Sequence, residues 1–168
     1  MQNFTVAVLV RNQFGVLNRV TSMFRRRQFN IGSLTVSETE SPDYSRITIQ
    51  SYGEVLAKKQ LIDQLYKLPD VCSIKEIDVS NCVSCELMLI KMANTPETRE
   101  DIRAAAEAFG ARTVDYSRDA MVFRLTDDTA RINQFVNLMR DYTILEICRT
   151  GIVSLERGSE TIRITEII

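Results

Sequence analysis

Apolar and polar positions alternate along this chain with two different periods, and the switches between them mark the elements. Phe4, Val6, Val8 and Val10 recur every second residue, the period of a strand with one buried face. From Val16 the spacing becomes helical: Val16, Val20, Met23, Phe24 and Arg27, joined by Leu17, lie on or near one side of a helix predicted to run to Gln28. Ile31 to Thr39 reads as a second strand. Ser41-Pro42-Asp43 reads as a turn, because Pro presets one dihedral and Asp bonds nearby backbone. Ser45 to Tyr52 is a third strand, with Ile47 and Ile49 on one face. Glu54 to Lys67 is a helix with Ala57, Leu61, Leu65 and Leu68 at helical spacing, stopped by Pro69-Asp70. Val71 to Val79 closes the half as a strand.

The second half repeats that order. Cys85 to Met92 is a strand. Thr95-Pro96-Glu97 has the signature of a helix start, with a capping hydroxyl, Pro at the first position and an acid near the positive end. Ile102, Ala105, Ala106 and Phe109 form its apolar side, and Gly110 supplies a left-handed end. Arg112 to Ser117 and Ala120 to Leu125 make a hairpin across Arg118-Asp119. Thr126 to Arg140 is a helix burying Ile132, Phe135, Val136 and Met139. Ile144 to Leu155 is a long strand broken at Gly151. The predicted fold is therefore α+β, two ferredoxin-like βαββαβ domains in tandem that divide near Ser80-Asn81, residues 1–79 and 82–168. Each domain, at roughly 80 residues, is small for an independent core. Each also leaves a sheet edge open, so self-association is expected. The charge-mixed tail from Glu156 ends in Ile164-Thr165-Glu166-Ile167-Ile168, apolar enough to add a strand or dock on a partner.

Composition narrows the chemistry. The chain has 168 residues, 45% of them hydrophobic and 26% charged, with a net charge of -1. Near-neutral charge gives no general pull toward nucleic acid or an anionic membrane. Arg25-Arg26-Arg27 reads as a solvated helix end that suits the dipole. No apolar run reaches membrane-spanning length, and Met1-Gln2-Asn3-Phe4 lacks a basic leader before an apolar stretch, so a cytoplasmic protein is expected. There is no histidine, which removes the commonest general acid/base and metal ligand. Of the four cysteines, Cys82 and Cys85 form a C-x-x-C without a second pair to complete a zinc site. They read as reduced structural residues, and Cys72 and Cys148 as small core residues.

Gly15, where the first strand hands over to the first helix, is the remaining candidate. At the least it permits a tight turn. A helix start also carries unpaired N–H groups, here those of Gly15, Val16 and Leu17, and a missing side chain lets a carboxylate approach them. Asn12 would add a side-chain amide from the preceding loop. Asn30 opens the next strand, which lies on a sheet edge in this fold. Paired edge to edge, two chains would bring the Asn30 of one to the Gly15 loop of the other. The result is a pocket for a small zwitterion, lined by Val16, Leu17 and Ile31.

Several stretches carry a family resemblance. Asn12-Gln13-Phe14-Gly15-Val16-Leu17-Asn18-Arg19-Val20 resembles the start of an ACT domain. Phe24-Arg25-Arg26-Arg27-Gln28-Phe29-Asn30-Ile31-Gly32-Ser33-Leu34-Thr35-Val36 and Ser45-Arg46-Ile47-Thr48-Ile49 continue it. With Glu86-Leu87-Met88-Leu89-Ile90-Lys91 and Arg149-Thr150-Gly151-Ile152-Val153, nearly the whole chain resembles the small, regulatory subunits of acetolactate synthase (acetohydroxyacid synthase). Phe14 stands where that family often has a small residue or Pro, and Asn18 where a hydroxyl is common. The resemblance implies an effector-binding and dimerising ACT domain over 1–79 and a second ferredoxin-like domain over 82–168. It implies a non-catalytic subunit, without a cofactor of its own. Its partner would be a large subunit that carries thiamine diphosphate, magnesium and FAD and condenses two pyruvates, or pyruvate with 2-oxobutyrate, in branched-chain amino-acid synthesis. The small subunit would activate that partner and confer feedback inhibition by valine or another branched-chain amino acid. The family's effector pocket maps onto Asn12, Gly15, Val16, Leu17, Asn30 and Ile31. A stand-alone ACT-type amino-acid sensor for another enzyme or a transcription factor is the alternative, and a redox enzyme built on Cys82 and Cys85 is a third reading.

Overall fold

The computed structural model describes residues 2–162, so the apolar end of the tail falls outside the described residues. The described chain forms two compact units, one from its start to Val83 together with residues from Ile152 on, the other Ser84–Gly151.

The first unit contains β1 (Gln2–Arg11), α1 (Val16–Arg26), β2 (Asn30–Glu38), β3 (Tyr44–Gly53), α2 (Val55–Leu65) and β4 (Val71–Glu76). Its antiparallel sheet runs in the order β2-β3-β1-β4, which leaves β2 and β4 as edges. The alternation read in β1 has a direct cause. Val6 pairs with Ile49 and Val8 with both Ile47 and Ile74, so one face of the sheet is aliphatic and both helices cover it. Phe4, Val6, Val8 and Val10 pack there with Val16, Val20 and Phe24 of α1 and Leu61 and Leu65 of α2. Burying a side chain such as Leu61 contributes about 2 kcal/mol. Phe29 follows α1 and meets Phe4 and Phe24 edge-on, at centroid distances of 5.9 and 6.4 Å. The predicted βαββαβ order is the observed one.

The opposite face of this sheet is also covered. Thr5, Ala7, Leu9, Thr48 and Ser73 are buried. Expected as the end of the second domain, the segment from Ile152, with its strand β9 (Val153–Glu156), packs by contact with the first unit. Three contacts explain the placement. Arg46 Nη2 donates to the Ser154 carbonyl at 2.6 Å, Lys75 pairs with Glu156, and Lys75 Nζ donates to Glu160 at 3.1 Å. Gly151, at φ 79°, makes the break that sequence placed there.

The second unit contains most of β5 (Cys82–Ala93), then α3 (Arg99–Ala108), β6 (Arg112–Tyr116), β7 (Ala120–Asp127), α4 (Thr129–Met139) and β8 (Ile144–Arg149). Its sheet follows the same plan, β6-β7-β5-β8, and β9 adds a fifth strand by pairing with β5. Met88, Ile90, Met92, Met121, Phe123 and Leu125 form its core with Ile102, Ile132, Phe135 and Met139 from the helices. Two helix starts differ from expectation. Thr95-Pro96-Glu97 forms a turn and α3 begins only at Arg99, because Asn94 anchors the approach, donating to the Ser117 carbonyl at 2.6 Å and accepting from Arg99 Nε at 2.7 Å. Thr126 and Asp127 stay in β7, where they pair with Leu87 and Glu86. Asp128 then caps α4 by accepting from the Arg131 N–H at 2.7 Å. Cys148, read as a core residue, is exposed on edge strand β8.

Candidate functional site

Gly15 is the N-cap of α1. Its φ of 79° lies in the left-handed region, no side chain caps the helix, and no acidic residue occupies the first turn. A β-carbon at this position would strain the backbone. The first turn is therefore positive and open. The intrahelical ladder begins with Arg19 N–H donating to the Gly15 carbonyl at 3.0 Å. Val16 N–H turns back to the Gln13 carbonyl at 3.4 Å, whereas the N–H groups of Gly15, Leu17 and Asn18 have no backbone acceptor. The donor set expected at Gly15, Val16 and Leu17 thus differs by one residue, with Val16 withdrawn and Asn18 added.

Three backbone contacts hold this loop. Asn12 N–H donates to the Asp43 carbonyl at 2.7 Å, Gln13 N–H to the Arg11 carbonyl at 3.0 Å, and Arg11 N–H to the Asp70 carbonyl at 2.8 Å. Arg19 adds a side-chain tie, Nε to Asp70 Oδ2 at 2.7 Å. Asp70 is buried, so the pair fixes the first turn of α1 to the start of β4.

The remaining predicted residues separate into groups. Val16 is only 3% exposed and belongs to the core, so it supports the loop rather than lining an open pocket. Leu17 is 41% exposed beside it, and Phe14 stands entirely in solvent. Asn30 opens β2 opposite Tyr52, which also faces Asn3 near the start of β1. The Gly15 loop follows Arg11 at the other end of β1. Eight residue steps along β2 separate the two ends, about 26 Å. A single chain therefore does not bring Asn30 and Ile31 to Gly15. Ile31 is half-buried against the core of the first unit.

Asn12 plays a different part from the one its position suggested. Its Nδ2 donates to Glu38 Oε1 at 3.1 Å and to the Pro42 carbonyl at 3.0 Å. Both amide protons are spent on the β2–β3 hairpin, so Asn12 offers a carbonyl oxygen rather than a donor. Glu38, Arg19 and Asp70 were missed from the sequence. They reach the loop only through strand register and helix docking, and nothing in local spacing marks them.

Elsewhere the chemistry is sparse. None of the four cysteines is in a disulfide. Cys82 and Cys85 lie three residues apart in one strand, on opposite faces and about 10 Å apart at Cα, too far for a disulfide without unwinding β5. Among the described residues no group of three or more His, Cys, Asp or Glu residues is arranged to hold a metal, and no helix is long and apolar enough to cross a membrane.

The described chain is thus a tandem pair of βαββαβ units, the first with a glycine-capped helix start that no side chain caps. Residues 6–73 match the AHAS small subunit-like ACT domain, and residues 85–158 match the small subunit of acetolactate synthase. The chain is 46% identical over 156 residues to a probable acetolactate synthase small subunit of Archaeoglobus fulgidus, an alignment covering 93% of this chain and 98% of the relative. It is 38% identical to the acetolactate synthase small subunit of Bacillus subtilis, over 92% of this chain and 91% of that one. The crystal structure of the small subunit from Thermotoga maritima superposes with a TM-score of 0.88 at 34% identity, over 95% of this chain and all of that chain. The chain belongs to the acetolactate synthase small-subunit family.

Proposed function

We propose that this subunit activates a thiamine-diphosphate-dependent large subunit and makes it sensitive to valine or another branched-chain amino acid. The effector is held between two copies paired β2 edge to β2 edge. Its carboxylate meets the N–H groups of Gly15, Leu17 and Asn18 at the start of α1, Leu17 covers its side chain, and the partner's Asn30 and Ile31 close the site. The chemistry stays in the large subunit with its magnesium and FAD, and this chain works through population shift.

The observation that carries this reading is the start of α1: a glycine at φ 79° with no capping side chain and no acid in its first turn. Most helices satisfy that end internally. Here it is left open next to a free sheet edge, and antiparallel self-pairing removes the edge. An effector changes activity only through unequal affinity for two states of the complex, and about 1–3 kcal/mol of coupling is usual.

Calorimetric titration of the full chain with valine, leucine and isoleucine, paired with pyruvate condensation by the large subunit with and without this chain, tests the proposal. Saturable binding of at least one amino acid and an effector-sensitive rise in condensation are expected. A chain that stays monomeric, binds none of the three and leaves condensation unchanged is not the regulator described.

A further inference from the structure

The helix start accounts for only one end of a zwitterion. We infer that Glu38, together with Oδ1 of Asn12, forms the ammonium-binding end of the effector pocket and makes the site select amino acids over 2-oxo acids. This rests on the effector reading above and adds residues to it.

The orientation of Asn12 follows from its partners. The Glu38 carboxylate and the Pro42 carbonyl are both acceptors, and each lies within hydrogen-bond distance of Nδ2. The amide nitrogen must therefore face the hairpin, which leaves Oδ1 free to accept. Glu38 is exposed. Among the described residues no lysine or arginine pairs with it, and its only hydrogen-bond partner is the neutral Asn12 amide. A free carboxylate oxygen and an amide oxygen thus sit together. Three residues along the same loop, Gly15 begins the donor-rich end of α1. Donors at one side and acceptors at the other match the two charged groups of an α-amino acid.

Strand geometry adds the second copy. Glu38 is the last residue of β2 and Asn30 the first. An antiparallel pairing of two β2 edges about their middle residue, Leu34, sets the partner's Asn30 opposite Glu38. The acceptor pair then lies where the two copies meet, and closure of that interface withdraws Glu38 from water. A carboxylate in such a place attracts an ammonium and repels an acid that has none.

The distinction matters for this family. The complex works on 2-oxo acids, which share the carboxylate and the aliphatic tail of a branched-chain amino acid. A site made only of amide donors and apolar walls would bind both. Glu38 supplies the one contact that the oxo acid cannot make.

The test uses the full chain and two probes, L-valine and 3-methyl-2-oxobutanoate, titrated by calorimetry against wild type, Glu38→Gln and Glu38→Ala. Wild type is expected to prefer valine by 100-fold or more. Both variants should lose at least tenfold in valine affinity, while the oxo acid binds unchanged or tighter. Melting temperatures of both variants check that they stay folded. Retention of the full preference in both variants overturns the inference and leaves the effector site standing. Equal loss of both probes also overturns it, since Glu38 would then serve only to tie the loop. Failure of wild type to bind valine, leucine or isoleucine removes the effector site itself and the inference with it.

Discussion

Arg19 reaches across from the first turn of α1 to bond Asp70 at 2.7 Å, and the same guanidinium lies 3.4 Å from the point where a β-carbon on Gly15 would stand. The arginine thus roofs the glycine on one side while Asp70 pulls it toward β4.

Two variants at Gly15 follow from that geometry. Gly15→Ala places a residue at φ 79° and presses on Arg19, and should cost about 1 kcal/mol of stability with weakened valine binding. Gly15→Asp adds a negative charge where a carboxylate should dock. Loss of valine inhibition is expected, with the complex with the large subunit still forming on size-exclusion chromatography. Normal valine inhibition in Gly15→Asp would place the effector elsewhere.

Gly53 is a packing glycine. A β-carbon there would come within 2.3 Å of the Phe29 ring, which is itself wedged against Phe4 and Phe24. Gly53→Ala should destabilise the first unit by about 1–3 kcal/mol, as overpacking does. Thermal unfolding measures the loss, and Phe29→Leu in the same chain should recover part of it.

Glu86 in the second unit is 3% exposed. Arg149 holds it bidentately, Nε to Oε1 at 2.6 Å and Nη2 to Oε2 at 2.8 Å, and Thr129 Oγ1 donates to Oε2 at 3.1 Å. Those bonds to Glu86 raise the Arg149 pKa above the ordinary arginine value. Stability contributed by a raised basic group is present below the unfolded value, so it persists across the whole working range. Arg149→Met leaves the carboxylate nearly alone and should cost about 3 kcal/mol, moderated because Arg149 keeps some solvent contact. Glu86→Leu with Arg149→Met should lose much less in chemical denaturation.

Lys75 ties the segment after Gly151 to β4, and its hydrogen bonds to Glu156 and Glu160 raise its pKa above the usual lysine value. The contribution is complete below the unfolded lysine pKa and disappears as pH climbs through the raised one. Hydrogen exchange in residues 152–160 should therefore exceed the intrinsic rate increase only in strongly alkaline solution. Lys75→Glu should release the segment at neutral pH. Unchanged protection in that variant would mean that the pairing of β9 with β5 and the Arg46 bond to the Ser154 carbonyl hold it without Lys75.

Legibility from sequence followed the range of the forces involved. The apolar periods of β1 and α1, the Pro69 stop and the turn at Pro42 depend on neighbours a few residues away, and they appear where the pattern put them. Helix starts were less legible wherever a distant partner intervened. Thr126 looks like a helix N-terminus by itself, but pairing with Leu87 keeps it in a strand.

By itself, the sequence determined the order of elements, the apolar face of each, the left-handed helix end at Gly110 and the break at Gly151, because steric limits and side-chain period act locally. Only the tertiary structure decided that Val16 turns into the core, that Asn12 spends its amide protons on Glu38 and Pro42, and that residues from Ile152 pack with the first unit. Those outcomes depend on which strands lie side by side, and partners from 26 to 108 positions away set them.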